Sequence, residues 1–245
     1  MMHIEFMTSI ENHAALPHPV PASKAVPDWY KRLPRSRVPD TNEVSSRMVW
    51  SDSDKGFVAG ATMKECIPVR DYITSGYIIP LWSALVVHMD DDGTSHFAWQ
   101  SDDCLHVEGH PGYQTLGTPL NWNDGDKTTL KLASPWMFRT KPGYSCLFFS
   151  PRYAEPNIEI LPAIVDTDTQ HEVNFPFVFR PRKDARDYIL ERGEPLIQIL
   201  PFKRESWSSS VSAISDGEIR GFNKFIRSFA LGGYRRFRHS KKTFM

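Results

Sequence analysis

The stretch Ser134–Pro151, SPWMFRTKPGYSCLFFSP, decides the fold. An apolar arm from Trp136 to Arg139 runs into Lys141-Pro142-Gly143, and a second apolar arm follows from Ser145 to Phe149. Proline presets one turn dihedral, and glycine accepts a positive φ that other residues resist. Pro151 then stops the second arm, because it has no N–H to give to a sheet. The pattern predicts strand, turn, strand: a core β-hairpin with Trp136 and Phe148 as packing residues.

Working outward, similar short runs lie on both sides. Residues 76–90, GYIIPLWSALVVHMD, are apolar at both even and odd positions. That predicts a strand buried on both faces, or one that passes from the core into a second layer. Asp90-Asp91-Asp92-Gly93 is a hairpin-turn signal, and residues 96–100 would be the returning strand. Residues 128–133 alternate, with Leu130 and Leu132 against Thr129 and Lys131. A further strand is expected over 157–166. NFPFVFR, residues 174–180, puts Phe175, Phe177 and Phe179 on one face, and residues 188–202 read as two strands around Arg192-Gly193-Glu194. No alternation of strands with helices is present. The expected fold is mainly β, a jelly-roll-like sandwich of the double-stranded β-helix type, in one domain spanning 1–245.

The ends differ from this β core of residues 42–207. A first strand is expected over 2–7. A Pro-rich arm follows over 12–41, in which Pro27 could open one helical turn carrying Trp29 and Tyr30 as anchors. Residues 57–64 read as a strand and Cys66–Ile73 as a short helix. Ser215-Asp216-Gly217-Glu218 has the spacing of a capping box, and Ile219, Phe222, Ile226 and Phe229 follow at helical intervals. An amphipathic C-terminal helix and a basic tail with Arg235 and Arg236 therefore make up residues 215–245.

Composition excludes some classes of function. The 29 basic residues balance 29 acidic ones, so net charge points to no nucleic-acid partner. The longest apolar stretch, residues 77–87, is too short to cross a bilayer. Cys66, Cys104 and Cys146 are widely spaced, with no CxxC pair for zinc or redox chemistry, and their odd number fits reduced thiols in a cytoplasm. No signal peptide is visible.

Several groups could carry chemistry. His88-Met89-Asp90 is an H-x-D pair at the end of the longest run. With His171 as a distal ligand it would form a facial triad for Fe(II), and Arg180 could pair with the carboxylate of a 2-oxo acid. This layout resembles that of the 2-oxoglutarate-dependent oxygenases, which implies Fe(II) with 2-oxoglutarate as an alternative reading. His106-Val107-Glu108-Gly109-His110 has metal-ligand residue types, yet Gly109, Pro111 and Gly112 break the strand that would align them. Asp166 and Asp168 could face one cation or simply form a polar turn. Trp50, Trp99, Trp122 or Trp136, if exposed, could stack on a sugar.

Several stretches together resemble a family of uncharacterised β-rich proteins from tailed phages and bacteria: PASKAVPDWYKRL, KECIPVRDYITSGYIIPLW, SPWMFRTKPGYSCLFFSP, AIVDTDTQHEVNFPFVF, GEPLIQILPFKRESW and YRRFRHSKK. The resemblance implies a phage-associated origin and a mostly β fold. The expectation is a non-enzymatic structural or accessory binding protein without a cofactor, acting through protein–protein contacts in the host cytoplasm or the virion. Trp29, Tyr30, Arg235 and Arg236 are its expected interface residues, and other subunits, a second copy or virion components its partners. Membrane and nucleic acid are not expected partners. A carbohydrate or small-ligand module is the remaining alternative.

Overall fold

The computed structural model describes residues 3–11, 13–37, 60–91, 95–99, 106–109, 130–151, 153, 158–179, 186–221, 239–240 and 242. Arg180, Arg235, Arg236, Trp50, Trp122 and His110 lie outside the described residues, as do Phe222, Ile226 and Phe229. The chain divides into two compact units. One comprises Met1–Ala25, Ser75–Ser206 and Met245, the other Val26–Thr74 and Trp207–Phe244. The expected Pro-rich arm is thus split at residue 25 between the two.

In chain order the strands are β1 (Ile4–Met7), β2 (Val20–Pro21), β3 (Ser36–Arg37), β4 (Gly60–Ala61), β5 (Tyr77–Pro80), β6 (Leu85–Met89), β7 (Ser95–Trp99) and β8 (His106–Gly109). They continue as β9 (Leu130–Ala133), β10 (Met137–Thr140), β11 (Tyr144–Phe149), β12 (Ile158–Ile160), β13 (Ala163–Val165), β14 (Asn174–Phe179), β15 (Asp187–Leu190) and β16 (Pro195–Lys203).

The first unit is mainly β and antiparallel. It holds a five-stranded sheet in the order β13-β11-β16-β5-β2, a four-stranded sheet β12-β14-β9-β8, a three-stranded sheet β15-β6-β7 and the pair β1-β10. All of them contribute to one hydrophobic core. Ile79, Phe148 and Ile199 come from the first sheet, Leu132, Phe175 and Phe177 from the second, Leu85, Val87 and Tyr188 from the third, and Phe138 from the pair. The pairings are nested: β5 with β16, β6 with β15, β9 with β14, and β11 with β13. An early strand meets a late one each time, as in a long antiparallel ribbon rolled on itself, and this makes the sandwich jelly-roll-like.

The expected hairpin of residues 136–149 is corrected. Its two arms are strands, and Gly143 takes the turn at φ 86°. They do not pair with each other. β10 pairs with β1, with Phe138 opposite Phe6, while β11 lies between β13 and β16. The reason is hydrogen-bond supply. The N–H groups of Phe138 and Thr140 donate to the carbonyls of His171 and Thr167, so that edge of β10 is already satisfied. The turn is a corner between sheets.

The same device recurs. The run 76–90 is not one strand but two, β5 in the five-stranded sheet and β6 in the three-stranded one, joined through buried Leu81, Trp82 and Ser83. This explains why both faces of the run are apolar. The expected strand 157–166 likewise splits at Leu161-Pro162 into β12 and β13, which belong to different sheets. β15 and β16 diverge at the Arg192-Gly193 turn in the same way.

In the second unit, α1 (Asp28–Arg32) follows Pro27, and α2 (Ile67–Ile73) has Pro68 in its first turn. Proline costs little there because early N–H groups have no helical partner. The Lys64 ammonium donates to the carbonyls of Tyr30 at 2.7 Å and Lys31 at 3.1 Å, where the α1 dipole is negative. The expected strand 57–64 is limited to Gly60–Ala61 among the described residues, and Met63–Glu65 is a single 3-10 turn. The capping box is formed: the Ser215 N–H donates to the Glu218 carboxylate at 3.0 Å, and the Glu218 N–H donates back to Ser215 Oγ at 3.4 Å. Helix then runs over 216–221.

Candidate functional site

The sequence pointed to His88 and Asp90, and β6 places both. Burial alternates along the strand, so Leu85 and Val87 face the core while Val86 and His88 face out. The neighbouring strands alternate in register. Asp187 of β15 and His96 of β7 flank His88 directly, and Ile189 and Ala98 flank Val86. The outer face of the three-stranded sheet therefore carries a polar row beside an apolar one.

Within the polar row, His88 Nδ1 lies 2.6 Å from an Asp187 oxygen. His88 Nε2 lies 3.5 Å from Asp90 Oδ1, and His96 Nε2 lies 2.7 Å from Asp90 Oδ2. The hydrogen bond that His88 gives to the Asp187 carboxylate, opposed by desolvation and helped by the charges of Asp187 and Asp90, raises the His88 pKa above its ordinary value. His96 and Asp187 were not singled out in the sequence. They lie eight and ninety-nine residues from His88, and only the strand register brings them together.

His171, the expected third ligand, is elsewhere in the first unit. Its Nδ1 is 3.1 Å from the Phe138 carbonyl and 3.2 Å from that of Thr167, a structural position against the 167–169 turn. Among the described residues no group of three or more His, Cys, Asp or Glu is placed so that it could hold a metal ion. His106 and Glu108 lie exposed on β8, and Glu108 pairs with Lys131 across the sheet at 2.7 Å.

Asp166 and Asp168 form part of a clasp. The Arg204 guanidinium meets the Asp168 carboxylate at 3.0 and 2.5 Å, and Gly143 N–H donates to Asp168 at 2.8 Å. Ser145 Oγ donates to Asp166 at 2.6 Å. The Asp168 side chain is only 6% exposed. The Arg204 hydrogen bonds, then that of Gly143, hold its pKa down at about 2. Both Asp168 oxygens are engaged by the protein, so the clasp is structural and fixes the corner after β10 and the end of β16. Cys146 is buried beside Thr167, and burial pushes its thiol up to about 11, which leaves it inert.

Of the expected interface residues, Trp29 is partly exposed on α1 and Tyr30 is buried against Lys64. In the same unit Asp71 of α2 binds His239 at 3.0 Å and Lys242 at 2.8 Å. These two residues of the basic tail are thus tied down by a carboxylate.

The largest apolar exposure was missed in the sequence. Residues 204–215 have neither helix nor strand, yet Trp207 is 90% exposed, Val211 is fully exposed, and Ile214 is exposed as well. No residue from Ser206 to Ile214 hydrogen-bonds to another described residue. The signal available was a tryptophan set in a run of serines, SWSSSVSAIS. By contrast Trp136 is buried and Trp99 packs against the core, so neither offers a sugar-stacking face.

No helix among the described residues is long and apolar enough to cross a membrane. No family model matches the chain, and no curated protein matches it. Solved structures similar to it include a dUTPase of Staphylococcus bacteriophage 80alpha, at TM-score 0.32 and 10% identity, covering 58% of this chain and 84% of that one. A dUTPase from phage phi11 of S. aureus matches at TM-score 0.31 and 11% identity, covering 59% of this chain and 85% of that one. The fold described above rests on the strand pairings of this chain.

Proposed function

We propose that this is a non-enzymatic accessory or structural binding protein of phage origin, acting through protein–protein contacts made by the Ser206–Ile214 segment. The observation that carries the reading is the exposure of Trp207 and Val211 on a segment with no hydrogen-bond partner among the described residues. Isolated exposed apolar residues are ordinary on protein surfaces. A tryptophan, a valine and an isoleucine within eight residues are a different matter, because tryptophan is enriched where partners bury surface.

The order of residues suits one mode of binding. In an extended backbone, alternate side chains share a face. Trp207, Ser209, Val211 and Ala213 would then lie on one side, and Ser206, Ser208, Ser210, Ser212 and Ile214 on the other. Such a segment can add as a strand to a partner's sheet edge, with main-chain hydrogen bonds giving affinity and Trp207 giving specificity.

The test is co-purification from phage-producing cells of the tagged wild type and of the Trp207→Ser/Val211→Ser variant, with mass spectrometry of purified particles alongside. A protein recovered with the wild type and lost with the variant supports the reading, and its presence in particles assigns it to the virion. Identical recoveries from both chains contradict it.

A further inference from the structure

A different surface carries a separate inference. β15 ends the three-stranded sheet, and among the described residues no strand pairs with its other edge. We propose that this edge is a docking site for a strand of a partner protein in which basic and apolar residues alternate.

The backbone sets the geometry. The Met89 N–H donates to the Arg186 carbonyl at 2.8 Å, just before β15 begins. An antiparallel ladder alternates bonded and non-bonded pairs. The next bonded pairs in the register are therefore Tyr188 with Val87 and Leu190 with Leu85. Asp187 and Ile189 fall between them, so their N–H and C=O groups turn away from β6, towards the open edge. An incoming antiparallel strand can exchange two main-chain bonds with each of these residues. The edge is reachable: Ile189 is 62% exposed and the Asp187 side chain 73%.

The side chains select the occupant. Asp187 and Ile189 face out on the same side of the sheet, and exposed Glu191 follows two residues on. Ile189 continues across the sheet into an apolar row with Val86 and Ala98. The neighbouring cation, Arg186, is committed to Asp91 at 2.5 Å, so it does not answer the edge carboxylates. A Lys or Arg opposite Asp187 and a β-branched residue opposite Ile189 match the edge position by position, and a second basic residue then approaches Glu191. Opposed residues of opposite charge, and opposed apolar residues, each favour pairing across strands. Charges on an open edge discourage indiscriminate pairing, and carboxylates turn away acidic strands while admitting basic ones. The Ser206–Ile214 run of this chain contains no Lys or Arg, so the same run from a second copy lacks the charge that this edge selects.

The experiment is NMR titration of the 15N-labelled full chain with three synthetic peptides. The first is acetyl-TKTVTKT-amide, which presents Lys, Val and Lys on one face. The second has Glu in place of both Lys, and the third is the first with N-methyl groups on its Lys and Val amides. The expected result is that the first peptide shifts the amides of Asp187 and Ile189 and the Glu peptide does not. N-methylation, which removes the main-chain donors, weakens binding about tenfold or more. Added salt weakens it severalfold, since exposed charges are screened beyond about 10 Å at 0.1 M. Ile189→Pro removes an outward N–H without taking a bond from β6, and Asp187→Lys reverses the charge. Each weakens binding of the first peptide about tenfold or more, with circular dichroism confirming that the fold is kept. No shift at Asp187 and Ile189 overturns the proposal, as does equal binding of the Glu peptide or indifference to N-methylation. A dimer of the free chain that Ile189→Pro dissociates also overturns it, because the occupant is then a second copy.

Discussion

The Leu81 N–H donates to the Glu194 carbonyl at 2.7 Å, and the Gly193 N–H donates back to the Leu81 carbonyl at 2.8 Å. These bonds join two places where the chain changes sheets. One strand leaves the five-stranded sheet at Leu81, and another enters it just after Glu194. The corner is closed by backbone, so its sequence requirement falls on conformation more than on side-chain chemistry.

Two glycines separate conformation from packing. Gly193 has φ 93°, and nothing lies within 4 Å of a Cβ added there. Gly193→Ala should therefore cost only the left-handed strain, about 1–2 kcal/mol. Gly76 has φ 67°, and a Cβ added there would come 1.8 Å from the Ile199 carbonyl oxygen. Gly76→Ala adds a backbone clash to the strain and should cost more than about 3 kcal/mol. Urea denaturation of both variants checks the order, and equal losses would contradict it.

The core should be most sensitive at Phe138. Its ring lies edge-on to Phe148 at 5.1 Å, to Phe6 at 6.0 Å and to Phe175 at 6.2 Å between centroids. These neighbours come from three different sheets, so no single strand movement can fill the gap left behind. Phe138→Ala should destabilise by about 3–5 kcal/mol, measured by chemical denaturation.

The Asp168–Arg204 clasp gives stability a defined pH dependence. The folded-state pKa of Asp168 is lowered from 3.8 to about 2. The folded state therefore favours the charged form. This contribution is fully present above the unfolded value of 3.8 and is lost as pH falls through about 2. In melting experiments the gap between wild type and Asp168→Asn should be constant above about pH 5 and should shrink between about pH 4 and pH 2. A gap unchanged across that interval would show that the clasp does not act through ionised Asp168.

The β class was legible because short apolar runs, prolines and glycines mark strands locally. Pairing was not. Residues 136–149 read as a hairpin since each arm and its turn fit one. Yet β10 takes its partners from β1 and the 167–171 turn, more than a hundred residues away on one side. The His88–Asp90 pair was visible as a local motif. His96 and Asp187 joined it only through register, and His171, alike in type, went to a backbone niche. Trp207 was passed over because a serine-rich run between a strand and a capping box reads as a linker.

That run should be dispensable for folding. Trp207→Ser and Val211→Ser remove side chains that touch almost nothing, so stability should stay within about 0.5 kcal/mol of the wild type. A loss above about 2 kcal/mol in thermal or chemical denaturation would place Trp207 in the core instead.

The central claim is that the Trp207 segment is a protein contact, and photo-cross-linking tests it most directly. A photoreactive residue is placed at position 207 in the full chain, with exposed position 191 as the control, and irradiated in phage-producing cells. The account predicts one discrete adduct at 207, identified by mass spectrometry, that is absent at 191. No adduct at 207, or the same products at both positions, would contradict it.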